Sequence, residues 1–405
     1  MRWIKGIGPL IAALAVLAAS PADAKSTERW IGSWGASPTD LAGAVANPAA
    51  FPIYDATIRT HVRLSAGGSA VRLRLSNELG SVPLRLGSVR VALFRDGKIV
   101  PGTDRPVTFG GTGTAMIAAG AALVSDAVAL PVEGLAELAI SIYVPGPVPH
   151  VTAHGFGHNW TWMSARNETD KPELTAPLPS SIRYIVSGVE VASASPRAGT
   201  IVVLGDSITD GAASTFNANR RWPDILAERL QAAGMTDIGI VNEGIGGNRL
   251  LSSGAGISAP GRLDRDVFSQ PNVRGLVLFV GINDIGMPVS AKQQVPSPSD
   301  MISAYTQIAQ RVRAKGIRLF AVTLLPYGKA GPNYHSAEGD GIRKAVNAWM
   351  RTTPLFDGVI DLDRLAADPE KPSQLAPLFD SGDGVHPSDA GYAAIARAID
   401  LNLLK

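Results

Sequence analysis

The sequence predicts two folds in tandem, an all-β domain followed by an α/β domain with a parallel sheet. Two observations lead to this prediction. In the first half, short stretches alternate apolar and polar residues and are separated by Gly and Pro clusters. In the second half, short apolar stretches alternate with segments of helical period. The first pattern is typical of antiparallel sandwiches and jelly rolls, and the second of doubly wound sheets covered on both faces.

Period-two alternation predicts the strands of the first half, and no long segment of helical period interrupts them. The clearest predicted strands are Thr57–Ser65, Val71–Ser76, Leu84–Phe94 and Leu138–Val144. Glycines and prolines between them mark turns. The pattern continues to about Val191 and predicts an all-β, jelly-roll-like domain over residues 25–195.

The second half begins after a small, polar stretch, Ala192–Gly199, which predicts a linker. The α/β domain is therefore expected over residues 196–405. Its predicted strands are Thr200–Leu204, Ile238–Asn242, Arg274–Val280, Ile317–Thr323 and Gly358–Leu362. Its predicted helices are Trp222–Ala233, Ser299–Ala314, Gly341–Thr352 and Ser388–Leu404, the last with Ser388 as N-cap. Active sites of such sheets lie at the carboxyl ends of strands, so the loops there are the candidate sites.

Residues 1–24 have the features of a cleavable signal peptide. Arg2 and Lys5 precede an apolar stretch, Ile7–Ala19, and Ala22-Asp23-Ala24 predicts cleavage after Ala24. The apolar stretch is too short for a transmembrane helix. We therefore expect a secreted or periplasmic protein with no integral membrane span after cleavage.

The composition limits the classes of function. The chain has 405 residues, of which 45% are hydrophobic and 18% charged, a globular rather than disordered composition. A net charge of +2 does not indicate a nucleic-acid partner. The absence of cysteine excludes disulfides, a thiol nucleophile and thiolate metal sites.

Four short motifs in the second half carry the candidate chemistry, and the first three follow successive predicted strands. They are Gly205-Asp206-Ser207-Ile208, the segment from Asn242 to Asn248, Gly281-Ile282-Asn283-Asp284, and the segment from Asp383 to Pro387. Together they supply a hydroxyl nucleophile, oxyanion donors, and a base with an orienting acid. Ester hydrolysis needs those parts.

Each motif taken alone has another interpretation. Ser207 could be a loop serine or a helix cap, and the glycines after Asn242 could serve a tight turn. Asn283 could cap its own backbone. His386 could be a plain loop residue, or a metal ligand together with Asp383.

The four motifs in this order resemble the GDSL/SGNH family of serine esterases and lipases, from about Thr200 to Lys405. The resemblance implies a flavodoxin-like three-layer α/β/α SGNH hydrolase domain that needs no cofactor and no metal. It implies that Ser207 is the nucleophile and that His386, oriented by Asp383, is the base. The implied oxyanion hole consists of the N–H groups of Ser207 and Gly247 and the side-chain amide of Asn283.

The resemblance implies a carboxylic ester hydrolase whose partner is a small-molecule or polysaccharide ester. Residues 25–195 lie outside it, but a β-sandwich before such a domain is similar to arrangements in secreted bacterial esterases that act on polysaccharides or lipids. We expect removal of short acyl groups, such as acetyl, from a carbohydrate or small ester. A lipase or lysophospholipase acting on longer chains is the alternative. An alternative of another class is a carbohydrate-binding protein with a relic hydrolase domain.

Two further segments are candidates for substrate contact. The Gly-rich segment Tyr327–Asp340 follows a predicted strand and could border the site. The segment from 150 to 162 combines histidines with aromatic rings: His150, His154, Phe156, His158, Trp160 and Trp162. It could bind a metal, stack on sugars, line an acyl groove, or form a packed corner between the domains.

Overall fold

The computed structural model of the protein describes residues 28–39 and 53–405. The predicted signal peptide at 1–24 lies outside the described residues. No helix in the described ranges is both long and apolar enough to cross a membrane.

The first part of the described chain is built from short strands. They are β1 (Arg29–Gly35), β2 (Ala56–Arg63), β3 (Val71–Asn77), β4 (Leu84–Leu86), β5 (Ser88–Arg95), β6 (Lys98–Ile99), β7 (Arg105–Pro106), β8 (Ala115–Ile117), β9 (Ala121–Val124), β10 (Glu137–Val144), β11 (Ala153–His154), β12 (Thr161–Ala165), β13 (Leu178–Ser180), β14 (Arg183–Tyr184) and β15 (Val186–Ser193).

Two antiparallel sheets dominate this part. One has the order β1-β15-β3-β9, and the other has the order β13-β12-β2-β10-β5-β6, with β7 beside β5. Alternate residues of the strands are fully buried in one shared apolar core, as period-two alternation requires. Examples are Val71, Leu73 and Leu75 of β3 and Leu138, Ile140 and Ile142 of β10. The predicted all-β domain is confirmed.

One predicted strand, Leu84–Phe94, is wrong in its continuity. It divides at Gly87 into β4, which pairs with β8, and β5, which pairs with β10. A β-carbon on Gly87 would lie 2.4 Å from the ring of Tyr143. The chain moves from one strand pairing to another at this close approach. Apolar periodicity alone cannot predict such a change.

The second part alternates strands and helices. Its strands are β16 (Gly199–Gly205), β17 (Ile238–Gly244), β18 (Val273–Phe279), β19 (Arg318–Val322) and β20 (Gly358–Ile360). Its helices are α1 (Ser207–Asp210), α2 (Trp222–Ala232), α3 (Ile282–Ser290), α4 (Pro298–Ala314), α5 (Ala337–Thr352), α6 (Leu362–Ala366) and α7 (Asp389–Ala398).

The five strands of the second part are parallel and have the order β17-β16-β18-β19-β20, which is the flavodoxin-like order. Helix α2 packs against α7, and α4 packs against α5. All seven residues of β16 are buried, as expected for a central parallel strand covered on both faces. The predicted α/β class is confirmed. The division of the chain at residue 195 stays a prediction.

The predicted closing helix Ser388–Leu404 is too long. Ser388 caps α7 through its side chain, as predicted, but the helix ends at Ala398, and a single 3₁₀ turn, Leu401–Leu404, follows. Arg229 of α2 donates hydrogen bonds to the carbonyl oxygens of Ala396 and Ile399, at 2.9 Å for Ile399. This tertiary contact satisfies the terminal carbonyls where the helix stops.

Strand β1 packs on the parallel sheet and joins the two parts of the chain. A β-carbon on Gly239 of β17 would lie 1.9 Å from the carbonyl oxygen of Gly32, so the two backbones touch. The Ser65 hydroxyl donates to the carbonyl of Ile240 at 3.0 Å and accepts from its N–H at 2.8 Å. Ser65 of the β domain thus satisfies backbone hydrogen-bonding groups of the edge strand β17. The two parts of the chain share a hydrogen-bonded interface.

Candidate active site

Ser207 is the first residue of the short helix that follows the central strand. Strand β16 ends at Gly205, and the carboxylate of Asp206 caps α1 by accepting a hydrogen bond from the N–H of Ile208 at 3.0 Å. Gly211, in the left-handed region at φ 106°, ends the helix. The sharp turn therefore presents the half-buried Ser207 at the carboxyl edge of the sheet.

Ser207, His386 and Asp383 form a continuous hydrogen-bonded chain. Ser207 Oγ lies 2.8 Å from His386 Nε2, and His386 Nδ1 lies 2.6 Å from Asp383 Oδ2. The other carboxylate oxygen accepts the N–H groups of Val385 and His386, each at 2.8 Å. Burial raises the pKa of Asp383, but these hydrogen bonds outweigh it and hold the pKa below its usual value. An ionised Asp383 makes Nδ1 of His386 the donor and leaves Nε2 free to accept the Ser207 proton.

Three hydrogen-bond donors predicted for an oxyanion hole follow β16, β17 and β18. Ser207 begins α1, Gly247 lies in the loop after β17, and Asn283 is the second residue of α3. The N–H groups of Ser207 and Gly247 donate to no other group in the described part of the chain. Gly247 has φ 76°, a conformation that favours glycine. Asn283 Nδ2 donates to the carbonyl of Asn248 at 3.1 Å, which leaves one of its two amide hydrogens available.

Tyr334 orients the Asn283 amide and was not singled out in the sequence analysis. Its hydroxyl donates to Asn283 Oδ1 at 2.7 Å, so the amide nitrogen is turned away from the phenol. Burial raises the pKa of Tyr334 well above its usual value, which keeps the hydroxyl a donor. Tyr334 lies in the segment Tyr327–Asp340, whose position after a strand was the available indication.

Arg262 links the loops that carry these donors. Its guanidinium is fully buried and donates to the carbonyls of Gly205 at 2.8 Å and Glu243 at 2.7 Å, and to Asn248 Oδ1 at 3.1 Å. An ion pair with Asp266 at 2.8 Å balances its charge. The ends of β16 and β17 are therefore held by one side chain that no sequence motif indicated.

Two buried carboxylates flank the site. Burial raises the pKa of Asp206 to about 7 and that of Asp284 to about 6. Asp284 accepts the N–H groups of Leu250 at 2.8 Å and Leu251 at 2.9 Å. It thereby anchors the chain just after the Gly247 loop.

A second His–Asp pair lies at the other end of α1. His154 of β11 approaches Asp210 with Nε2 at 3.0 Å, and its Nδ1 lies 2.8 Å from the carbonyl oxygen of Ser37. The second carboxylate oxygen of Asp210 accepts the N–H of Gly246 at 3.2 Å. The β domain thus contacts the loop that carries Gly247 through one buried carboxylate.

The metal interpretation of the histidine-rich segment finds no support in the described residues. Both ring nitrogens of His154 face protein oxygens, so neither is free for an ion. Nowhere in residues 28–39 and 53–405 do three His, Asp or Glu side chains gather in a way that could hold an ion.

The packed-corner interpretation does not fit two rings of the same segment. Phe156 is 49% exposed and Trp160 is 37% exposed. Trp160 packs edge-on against Phe216, with ring centroids 4.6 Å apart. The aromatic segment therefore forms part of the surface beside the α/β part of the chain.

Comparison with known proteins gives one family and a set of similar structures. Residues 203–394 match the model of the GDSL-like Lipase/Acylhydrolase family. Among curated proteins, no relative matches the chain. The chain is similar to the acetyl xylan esterase AlAXEase, at 27% identity over 49% of this chain and 96% of that one, with a TM-score of 0.39.

Two further solved structures are similar over the same half. A GDSL-like lipase from Bacteroides thetaiotaomicron shows 17% identity over 51% of this chain and 87% of that one, with a TM-score of 0.38. A lipase/acylhydrolase from Enterococcus faecalis shows 19% identity over 49% of this chain and 92% of that one, with a TM-score of 0.37.

Proposed function

Residues 203–394 belong to the GDSL-like lipase/acylhydrolase family, and from this premise we propose that the protein hydrolyses short-chain esters through an acyl-enzyme on Ser207. The predicted family and the class of carboxylic ester hydrolase are confirmed for this domain. The roles of individual residues and the short acyl chain are our proposals. One observation carries the proposed residue roles, the hydrogen-bonded chain from Ser207 Oγ through His386 to Asp383, at 2.8 and 2.6 Å.

In the proposed first step, Ser207 Oγ attacks the ester carbonyl carbon while His386 Nε2 takes the hydroxyl proton. The imidazolium then gives this proton to the leaving alcohol oxygen as the carbon–oxygen bond breaks, which leaves the acyl group on Ser207. Asp383 holds the ring and stabilises its positive charge. Water then attacks the acyl-enzyme, its proton passes to Nε2 and on to Ser207, and the free acid leaves.

The oxyanion is proposed to bind to three donors. The N–H groups of Ser207 and Gly247 have no other acceptor in the described residues, and Asn283 Nδ2 has one available hydrogen. Donors held in place before the reaction stabilise developing negative charge without reorganisation. Tyr334 and Arg262 serve this arrangement by positioning Asn283 and the strand ends.

A carbohydrate ester is the proposed natural substrate, and export of the chain is part of the proposal. The exposed aromatic rings beside the catalytic domain support a sugar substrate. The alternative is a lipase or lysophospholipase, which would use the same rings for an acyl chain. Recovery of a chain that starts at Lys25 from periplasm or culture medium tests export, and recovery of an uncleaved chain from the cytoplasm would contradict it.

The test of the proposed function compares Ser207→Ala with the matched variant Ser214→Ala. Ser214 lies in the loop after α1, and its hydroxyl donates to the carbonyl of Gly211 at 2.7 Å. The parent and Ser214→Ala should hydrolyse p-nitrophenyl acetate faster than p-nitrophenyl palmitate and should be labelled by a serine-directed phosphonate. Ser207→Ala should do neither while keeping its Tm. A folded Ser207→Ala protein with parental turnover would exclude the mechanism.

The competing class, a carbohydrate-binding protein with a relic hydrolase domain, predicts a different outcome. It would bind sugars and hydrolyse no ester on a panel of acetyl, butyryl and long-chain substrates. The hydrogen-bonded chain at Ser207 favours the enzyme, because a domain without activity has no need to keep three side chains within hydrogen-bonding distance of one another.

A further inference from the structure

A cleft of about 340 Å³ lies where the β domain meets the loop that follows α1. One wall consists of strands β2, β5 and β12, and the other is the loop around Asn217 and Asn219. The lining combines aromatic faces with amide and carboxylate groups and includes His61, Phe94, Glu137, Trp160, Trp162 and Asn217.

The aromatic rings of the cleft form one stacked pair and one tilted pair, the latter with 48° between the ring planes. His61 stacks on Phe94 with ring centroids 3.7 Å apart, and Trp160 lies 6.2 Å from Trp162. Burial lowers the pKa of His61 to about 4, so its ring is neutral at physiological pH. The C–H faces of a sugar ring pack well on such uncharged rings.

The polar groups of the cleft keep hydrogen-bonding capacity. Asn217 Oδ1 accepts the N–H of Trp160 at 2.9 Å, and Asn159 Oδ1 accepts from Arg183 at 3.0 Å. Neither amide NH₂ group donates to a residue in the described ranges. Among the described residues, the Glu137 carboxylate accepts one side-chain hydrogen bond, from Asn219 at 3.3 Å, and its other oxygen is a further acceptor. Donors and acceptors beside aromatic faces suit hydroxyl groups, whereas an acyl chain would leave these groups without partners.

The cleft is tied to both catalytic elements. Thr215, in the loop after α1, donates its N–H and its hydroxyl to the carboxylate of Asp389, at 2.9 and 2.6 Å. Asp389 is the third residue after His386, so the reach of the chain places Asn217 within roughly 25 Å of His386. Phe156, four residues before Trp160, contacts the loop after β17: a β-carbon on Gly246, next to Gly247, would lie 3.2 Å from its ring. The segment from His154 to Trp162 therefore runs from the oxyanion loop to the cleft.

We propose that this cleft is an accessory subsite that binds a sugar residue of an extended carbohydrate whose ester group lies at Ser207. The proposal rests on the proposed esterase function for its substrate, but sugar binding itself is independent of turnover. The subsite would select oligosaccharide esters over small esters by adding contacts remote from the reacting carbonyl.

The binding experiment uses the full chain carrying Ser207→Ala, titrated with xylohexaose, cellohexaose and hexa-N-acetylchitohexaose by calorimetry and tryptophan fluorescence. At least one of the three should bind saturably. Adding Trp160→Ala should weaken binding about tenfold or more, as for a central aromatic anchor. Asn217→Gly should also weaken it, because glycine keeps the backbone at φ 60° while removing the amide.

The matched control is Trp30→Ala, a half-buried tryptophan of β1 that packs under Arg72 with 3.9 Å to the ring centroid. It lies outside the cleft lining and should leave both binding and turnover unchanged. Absence of saturable binding by all three hexasaccharides, or equal affinity in Trp160→Ala, would overturn the subsite.

The kinetic experiment separates this inference from the function on which it rests. In the active protein, Trp160→Ala should lower the ratio of kcat/KM on acetylated hexasaccharide to kcat/KM on p-nitrophenyl acetate about tenfold, chiefly through KM. An inactive parent whose hexasaccharide binding depends on Trp160 would support the subsite while the esterase proposal fails. A loss confined to p-nitrophenyl palmitate would assign the cleft to an acyl chain and overturn the sugar subsite.

Discussion

In the described part of the chain, two His–Asp pairs contact the short helix α1, one near each end. His386 and Asp383 lie at the Ser207 end, with side chains 24% and 49% exposed. His154 and Asp210 lie at the opposite end, with side chains 6% and 4% exposed. The same two side-chain types are thus placed in opposite solvent environments within one turn of helix.

The difference in burial fits the proposal that the His386 pair transfers a proton and the His154 pair supports the structure. His386 faces a hydroxyl on one side and a carboxylate on the other, so one ring nitrogen can accept a proton and return it. Both ring nitrogens of His154 face acceptors, the carbonyl of Ser37 and the carboxylate of Asp210. Only an imidazolium donates to both, and the pKa of His154 is raised accordingly.

For His154 and Asp210, the inner pair, the opposing effects on the two pKa values favour the ionised form. Burial lowers the pKa of His154, but the charge of Asp210 and the hydrogen bonds outweigh it. Burial likewise raises the pKa of Asp210, and the charge of His154 outweighs it and lowers the pKa. A buried ion pair with its hydrogen bonds satisfied is therefore expected to join the domains, not to act on substrate.

The largest expected effect concerns His386 and Asp383, the outer pair. His386→Ala removes the proposed base, so kcat should fall by about 10⁴-fold or more, as losses of triad members do. Tm should change little because the site is partly exposed. Steady-state kinetics beside thermal melts measure both quantities. A His386→Ala variant with a lowered Tm but a parental kcat would mean that the roles assigned to the two pairs are reversed.

The second effect concerns the inner pair. His154→Gln removes the charge opposite Asp210 and should lower the free energy of unfolding by about 3–5 kcal/mol, the usual loss when one partner of a buried pair is removed. The folded variant should retain most of its kcat. Urea unfolding measures the first quantity and kinetics the second. A loss of kcat as large as that of His386→Ala, with unchanged stability, would contradict the assignment.

A somewhat smaller effect is expected at the oxyanion donors. Asn283→Ala should lower kcat about 10²–10³-fold, roughly 3–4 kcal/mol, with little change in KM. Tyr334→Phe keeps the ring and removes only the hydroxyl that orients the amide, so its effect should be smaller and in the same direction. A change confined to KM in Asn283→Ala would mean that the amide binds ground-state substrate.

The smallest effect is the pH dependence of the interface. The raised pKa of His154 makes its contribution complete below an unfolded pKa of about 6.5, and the contribution is lost as pH rises through the folded value. The lowered pKa of Asp210 makes its contribution complete above an unfolded pKa of about 3.9, and this is lost as pH falls through the folded value. The pair should therefore stabilise most between about pH 4 and 6.5.

The measurement is the difference in Tm between the parent and His154→Gln. It should be larger near pH 5.5 than near pH 8.5, values chosen on either side of the usual pKa of about 6.5 for histidine. An equal difference at both values would mean that His154 is neutral in the folded protein.

Much of the molecule could be predicted because its information is local. Strands such as Val71–Asn77 and helices such as Trp222–Ala232 follow from apolar periodicity, and their observed bounds differ from the prediction by one residue. Asp383 and His386 lie three residues apart and meet within one turn, so their spacing alone makes the contact possible. Two of the errors, at Gly87 and after Ala398, arise where a distant side chain or strand decides the local conformation. Other errors are the start of α5, at Ala337 and not Gly341, and helix α3, which was not predicted.

The sequence by itself determined the two fold classes, the strand-end loops and the residue types that meet at Ser207. Only the tertiary structure decided that His154 reaches Asp210, 56 residues away, that Arg262 links β16 to β17, and that Tyr334 turns the Asn283 amide. The physical reason is the sequence separation over which each kind of information acts. Periodicity records which face of an element avoids water, whereas a buried polar contact between distant segments depends on how whole layers pack.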